Sequence, residues 1–244
     1  MSHYWKSFFE SYRILEVKSD ADLRFQVGKS VGGKAISDAE FDALVQRIVD
    51  ALDIKPHDHV LDLCCGNGVI TRELANKCTA ILGIDFSSPY IDNAKKYKAA
   101  PNINYVCDDV TNFSSVLRET NFNPTKVLMH GSLAYLTPTQ LSQILRSLAA
   151  DAPNAECFVV SAVPDAARRN LFHNTIKRKI EWLFFSVILG RDRGVGRWWS
   201  RQEVMEICKS HNFKASFDQT VSGHSYRMDI VITPLRNSQP GRKV

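Results

Sequence analysis

Val60-Leu61-Asp62-Leu63-Cys64-Cys65-Gly66-Asn67-Gly68 is the stretch that decides the fold. From His59 its first half is an apolar run of strand length; its second half is a turn punctuated by two glycines. The residues that follow place Ile70 and Leu74 one helical turn apart. Strand, tight glycine turn and helix in immediate succession open a βαβ unit.

Working outward, the pattern repeats. Upstream, Ser37 followed three positions later by Glu40 is a capping box, and Phe41, Leu44, Val45, Ile48, Val49 and Leu52 form one apolar stripe behind it. Downstream, Ala80 to Ile84 reads as a buried strand, and Ser88-Pro89 supplies an N-cap and an N1 proline for a helix through Lys98. Ile103 to Cys107, Lys126 to His130 and Cys157 to Ala162 are further strands, with a helix capped at Thr137 and striped by Leu141, Ile144, Leu145 and Leu148 before the last of them. Past Pro164 the rhythm breaks into an insertion at about 165–200. A second capping-box pattern at Ser200 then opens a helix, and two strands, Lys214 to Asp218 and Ser225 to Thr233, end the pattern across a short gap that favours an antiparallel hairpin. The expectation is an α/β fold: a doubly wound, Rossmann-like, seven-stranded and mostly parallel sheet with an antiparallel edge strand and a helical lid insertion. Residues 1–36 form an N-terminal cover, 37–235 the main domain, and 236–244 a polar tail expected to be disordered.

Composition bounds the rest. A chain of 244 residues with 44% hydrophobic, 23% charged and 10% aromatic residues is neither disordered nor fibrous. Its net charge of +5 suits anionic partners without demanding nucleic acid. Six cysteines, two of them adjacent and none in a C-x-x-C pair, fit no zinc or disulfide framework, so no metal is expected and a reducing cytoplasm is the simplest home. The charged start MSHYWKSFFESYR reads as no signal peptide, and the apolar run from Trp182 to Leu189 is far short of the roughly 20 residues a membrane span needs.

In an open parallel sheet a ligand binds beyond the carboxyl ends of the strands at the topological switch point, where the 66–68 turn belongs. Asp85 ends the second strand, close to the spacing of roughly 20 residues at which an acid grips ribose hydroxyls, and Asp108-Asp109 ends the third. Glycine turn, acid and acid on consecutive strands describe a nucleoside pocket. A dinucleotide oxidoreductase would want a third glycine at position 71, and this chain has Thr71. At these residues the sequence resembles the class I S-adenosylmethionine-dependent methyltransferases. Val60 to Gly68 is similar to that family's glycine motif, Gly83 to Ser87 to its ribose-binding motif, and Tyr105 to Val110 to the motif that reads adenine. Cys64 departs from the pattern, standing where many members have the loop's first glycine.

The resemblance implies S-adenosylmethionine as cofactor. Asp85 would hold both ribose hydroxyls and Asp109 the adenine amino group with Val110 nearby, while Asp62, Cys64, Gly66, Gly68, Phe86 and His130 would line the cofactor. The glycine-punctuated Leu23 to Gly33 resembles the cover that small-molecule members close over the site, which makes Gln26, Gly28 and Lys29 candidates at the methionine end. Methyl transfer from a sulfonium needs a base only when the acceptor holds its proton firmly. The candidate bases are His130, ending the fourth strand, and Asp165, just after the fifth; a helix N-cap is the alternative role for Asp165. Between 165 and 201, nine basic residues stand against three acids. That surplus suits a phosphate or carboxylate on a small acceptor, or simply a solvated lid face. The expected function is methyl transfer to a small polar or anionic molecule, with O-methylation of a sugar or natural-product intermediate foremost. The alternatives are an NAD-dependent oxidoreductase and a non-catalytic cofactor-binding module. A nucleic-acid methyltransferase is disfavoured because no separate recognition domain and no N/D-P-P-Y/F/W motif is present.

Overall fold

The apolar periodicities resolve into two layers of helices on one sheet. A computed structural model describes residues 16–173, 195–218 and 224–235. The N-terminal segment contributes helix α1 (Asp20–Gln26) and a two-residue hairpin, β1 (Ser30–Val31) with β2 (Lys34–Ala35). Then follow α2 (Asp38–Leu52), β3 (His59–Leu63), α3 (Val69–Leu74), β4 (Ala80–Asp85), α4 (Ser88–Tyr97), β5 (Ile103–Cys107), α5 (Phe113–Thr120), β6 (Lys126–His130), α6 (Pro138–Asp151) and β7 (Cys157–Pro164). A short α7 (Arg169–Phe172), α8 (Arg201–Ser210), β8 (Phe213–Asp218) and β9 (Arg227–Pro234) complete the described elements.

The sheet order is β5-β4-β3-β6-β7-β9-β8. β3 to β7 are parallel, and β9 runs antiparallel to both its neighbours. The antiparallel strand therefore sits one position in from the edge, with β8 outside it. Because the chain winds outward from β3 through β5 and then returns to β6, the switch point falls between β3 and β6.

Strand residues alternate between the two faces. Val60, Ile81, Leu128 and Val159 pack with Leu23 of α1 and the stripes of α2 and α3, whereas Leu61, Leu63, Val127, Met129 and Val160 pack with α5, α6 and α8. The N-terminal segment thus shares the core of the sheet: Leu23 is 1% exposed. The capping boxes at Ser37 and Thr137 form as read. Two caps differ. The N-cap of α4 is Ser87 rather than Ser88. At Ser200 the Glu203 N–H donates to the serine hydroxyl, but the Glu203 carboxylate pairs with Arg197 at 2.6 Å instead of reaching back.

Most of the expected lid, 174–194, and the tail, 236–244, lie outside the described residues, and with them Trp182 to Leu189. The lid's C-terminal end is held firmly. Trp199 is fully buried, its indole N–H donates to the Leu133 carbonyl at 3.1 Å, and its backbone exchanges hydrogen bonds with Pro164 and Ala166.

Candidate active site

Along the ends of β3, β4 and β5 the backbone makes a tight floor. Gly66 and Gly68 both have positive φ, and a Cβ on Gly68 would stand 2.5 Å from the Tyr105 hydroxyl, so only glycine fits. Cys64 has φ 62°, a left-handed conformation that a side chain adopts with strain. That is the physical reason a glycine suits this position.

Asp85 is 6% exposed. Its Oδ2 accepts from the Gly66 N–H and its Oδ1 from the Ser87 N–H, both at 2.9 Å, so the carboxylate ties the glycine turn to the start of α4. Each carboxylate oxygen keeps lone-pair capacity for a further donor. Burial pushes Asp85 up to about 6, against the pull of those two N–H donors. Asp62 is also buried, its Oδ2 accepting from the Thr71 hydroxyl at 2.6 Å. Burial, with the neighbouring Asp85, drives it up to about 7, opposed by Thr71 and Lys29. Thr71, read in the sequence only as a missing glycine, is thus the group that orients Asp62. Asp109 accepts from the Thr111 N–H and hydroxyl, capping a short 3-10 turn beside the buried Val110. Half-buried Phe86 directly follows Asp85.

The N-terminal segment closes against this floor. The side chain of Gln26 is buried and accepts from Asn67 Nδ2 at 3.0 Å and Asn93 Nδ2 at 3.2 Å, while its backbone carbonyl accepts from the Tyr90 hydroxyl. Gly28 (φ 73°) is exposed, and a Cβ there would meet nothing, so its demand is conformational. Burial pushes the Cys64 and Cys65 thiols well up, leaving both protonated at neutral pH.

Across the switch point the ends of β6, β7 and β9 form the other wall. His130 ends β6, its Nδ1 lying 2.6 Å from the Ser161 hydroxyl. Ser161 is presented by a bulge in β7: the register with β9 shifts between Val160 and Val163, and Ala162 takes φ 62°. The Asp229 carboxylate and the Arg227 guanidinium clamp the bulge through the Ala162 N–H (2.8 Å) and carbonyl (3.0 Å). No periodicity in the sequence signals a bulge, so Ser161 went unnoticed there. Burial, and the charges of Lys29, Arg227 and Arg47, hold His130 well below its usual range. Asp165 is completely buried. Its Oδ1 accepts from the Ala167 N–H and its Oδ2 from Arg201 at 3.0 Å, with Arg168 at 3.7 Å, so it caps the turn after β7 and anchors α8. Phe172, Trp198 and Tyr226 cluster beyond it, with centroids 5.0 to 6.2 Å apart.

Residues 60–150 match the family described as methyltransferase domain. A ubiquinone biosynthesis O-methyltransferase of Coxiella burnetii is 41% identical over 54 residues, 21% of this chain and 23% of that one. An rRNA methyltransferase of Streptomyces thermotolerans is 34% identical over 93 residues, 38% of this chain and 29% of that one. The chain therefore covers less than a third of the length of either relative. Among solved structures, magnesium protoporphyrin IX methyltransferase (ChlM) from Synechocystis PCC 6803, with S-adenosylhomocysteine bound, superposes with a TM-score of 0.59 at 15% identity, over 95% of this chain and 98% of that one. With the glycine turn, the acids at the ends of β3, β4 and β5 and the strand order already in place, residues 60–150 are a methyltransferase domain.

Proposed function

We propose that the whole chain transfers a methyl group from S-adenosylmethionine to an oxygen of a small polar or anionic acceptor. The observation that carries this reading is the placement of His130 and Ser161 across the switch point from Asp62 and Asp85, which sets a hydrogen-bonded histidine opposite two buried carboxylates. The cofactor supplies an electrophilic methyl bound to sulfonium. Asp85 would hold the ribose hydroxyls and Asp109 the adenine end, while Asp62, kept in place by Thr71, would stand beside the positive methionine end.

Of the two candidate bases, Asp165 has its carboxylate committed to Ala167, Arg201 and Arg168. His130 is the better candidate. With Nδ1–H donating to Ser161, Nε2 is bare and can take a hydroxyl proton as the acceptor oxygen attacks. Among the described residues no helix is long and apolar enough to cross a membrane, and we place the enzyme in the cytoplasm.

Thermal shift with S-adenosylhomocysteine, NAD and NADP tests the cofactor. Stabilisation by the first alone is expected, growing as RT ln(1 + [L]/Kd), whereas an equal shift with NAD would return the chain to the oxidoreductases. Methyl-labelled cofactor, incubated with fractionated small metabolites and separately with RNA, then reads the acceptor. Label in a small-molecule fraction is expected; label in RNA overturns the substrate class, and cofactor binding with no transfer to any fraction favours the non-catalytic module.

A further inference from the structure

Lys29 stands between Gly28 and the hairpin β1–β2, and its half-buried side chain turns toward the end of β6. Its backbone is fixed at both ends: the Lys29 N–H donates to the Arg24 carbonyl at 2.9 Å, and the Ile36 N–H donates to the Lys29 carbonyl at 3.0 Å. The half-buried side chain reaches the turn after β6, with Nζ 3.8 Å from where a Cβ on Gly131 would stand. There the ammonium forms no hydrogen bond and no ion pair among the described residues. The one carboxylate that attracts it, Asp62, is held by Thr71, while Arg227 repels it. Burial and Arg227 bring the ammonium down to about 7. The same two cations depress His130 and His224. The charges of Lys29 and Arg227 are therefore felt at both histidines, with Arg47 adding to the field at His130. A desolvated ammonium without a partner is costly unless an anion arrives to meet it.

We propose that Lys29 is the specificity-determining anchor for the acceptor: its ammonium binds a carboxylate or phosphate carried by the methyl acceptor, next to Gly131 and within the field of Arg227. This rests on the methyl-transfer reading above and narrows it from polar acceptors to anionic ones. Lys29 acts by holding the substrate, and no proton or methyl passes through it. The cofactor's own methionine carboxylate is the other source of the same chemistry, so the experiment must separate the two.

Calorimetric titrations of the full chain can do so with S-adenosylhomocysteine, with methylthioadenosine, which lacks the amino-acid tail, and with inorganic phosphate or benzoate added to protein already saturated with S-adenosylhomocysteine. The variants are Lys29→Met, Lys29→Arg and, as a control for general charge, the exposed Lys34→Met in the same hairpin. In Lys29→Met, phosphate and benzoate are expected to bind about tenfold more weakly or not at all, the loss of one charge-assisted contact. Lys29→Arg should restore most of that affinity, Lys34→Met should match the wild type, and S-adenosylhomocysteine should bind all four proteins alike. If Lys29→Met instead weakens S-adenosylhomocysteine and spares methylthioadenosine, the anion is the cofactor's and the acceptor assignment is wrong. Unchanged binding of every ligand removes Lys29 from any anion site. Failure of S-adenosylhomocysteine to bind the wild type would overturn the cofactor reading instead. The anion site would then be judged by phosphate on the protein alone.

Discussion

At the ends of β3, β4 and β5 the site is lined by the carboxylates Asp62, Asp85 and Asp109, whereas the ends of β6 and β9 and the N-terminal hairpin bring His130, Arg227 and Lys29 to the opposite wall. The two halves are also built differently. On the acidic side each carboxylate is already hydrogen-bonded, by Thr71 of α3, by Gly66 and Ser87, or by Thr111. On the basic side Ser161, the register partner of His130 across β6 and β7, holds the imidazole just where β7 bulges against β9. Of the acids there, Asp165 is paired with Arg201 and Arg168, and Asp229 accepts from the Ala162 N–H. On the proposed function the difference would suit a division of labour: a cofactor half preorganised for a positively charged, hydroxyl-rich ligand, and an acceptor half whose field favours an anion and keeps histidine neutral.

The sharpest way to break this division is at His130. If it is the base, His130→Ala lowers kcat by about 10²- to 10⁴-fold and leaves S-adenosylhomocysteine affinity nearly unchanged. Because burial and its cationic neighbours hold the imidazole below its usual range, the acid limb of the rate profile should lie well below neutrality, not near it. Ser161→Ala should shift that limb while sparing cofactor affinity, because it frees Nδ1. A cofactor affinity that falls in parallel with kcat in His130→Ala would place the histidine in the acidic half's task.

The complementary test is at Asp85. If Asp85 holds the ribose hydroxyls as proposed, Asp85→Ala should weaken S-adenosylhomocysteine by about 1.5 to 3 kcal/mol, read by calorimetry. The group also predicts a pH dependence. Its folded value, about 6, lies above the ordinary 3.8, so between those values the empty fold binds more protons than the unfolded chain and loses stability as pH rises. The complex needs the ionised form, so cofactor affinity should instead fall as pH drops below about 6. Asp85→Asn should abolish that fall, and a limb that persists would belong to Asp62, which titrates near 7.

Most of the fold could be read from the sequence because its signals are local. The glycine turn, the alternation of apolar strands with striped helices and the boxes at Ser37 and Thr137 each specify their element without distant help. Asp85 and Asp109 were legible for the same reason, as acids at or just past a strand end, whereas Asp62 came only from the family resemblance. What escaped reading is non-local. α1 was read only as part of a glycine-punctuated cover, with no helix, because its one deeply buried leucine, Leu23, gains its meaning only against α2 and α3. The bulge at Ser161 and Ala162 is imposed by β9, some 65 residues on. Ser200 kept its cap but lost the reciprocal half of its box to Arg197, a competing ion pair that a spacing rule does not see.

A milder probe of the acidic half is Thr71→Val, nearly isosteric but without the hydroxyl. It leaves Asp62 buried with one donor fewer, so chemical denaturation should show a loss of about 1 to 2 kcal/mol and the Asp62 titration should move upward. An unchanged titration would mean that Asp62 finds its orientation elsewhere.

The smallest effect is expected at Cys64, where two opposed terms nearly cancel. Its φ of 62° is strained for a residue with a Cβ, by about 1 to 2 kcal/mol, and Cys64→Gly relieves that strain. Against this, glycine loosens the unfolded chain by about 0.5 to 1 kcal/mol, and the half-buried thiol gives up its packing against the hydrophobic core. The net change should fall within about 0.5 kcal/mol of zero by chemical denaturation, given those magnitudes. Cys64→Ala keeps the strain and loses the sulfur, so it should be less stable than Cys64→Gly, and Cys64→Val, branched at Cβ in a left-handed conformation, should be the least stable of the three. None should lose turnover through missing thiolate chemistry, because burial keeps this thiol protonated. A kcat that collapses in both the glycine and the alanine variants, with cofactor affinity intact, would instead make Cys64 a participant in the reaction and move part of the chemistry into the acidic half.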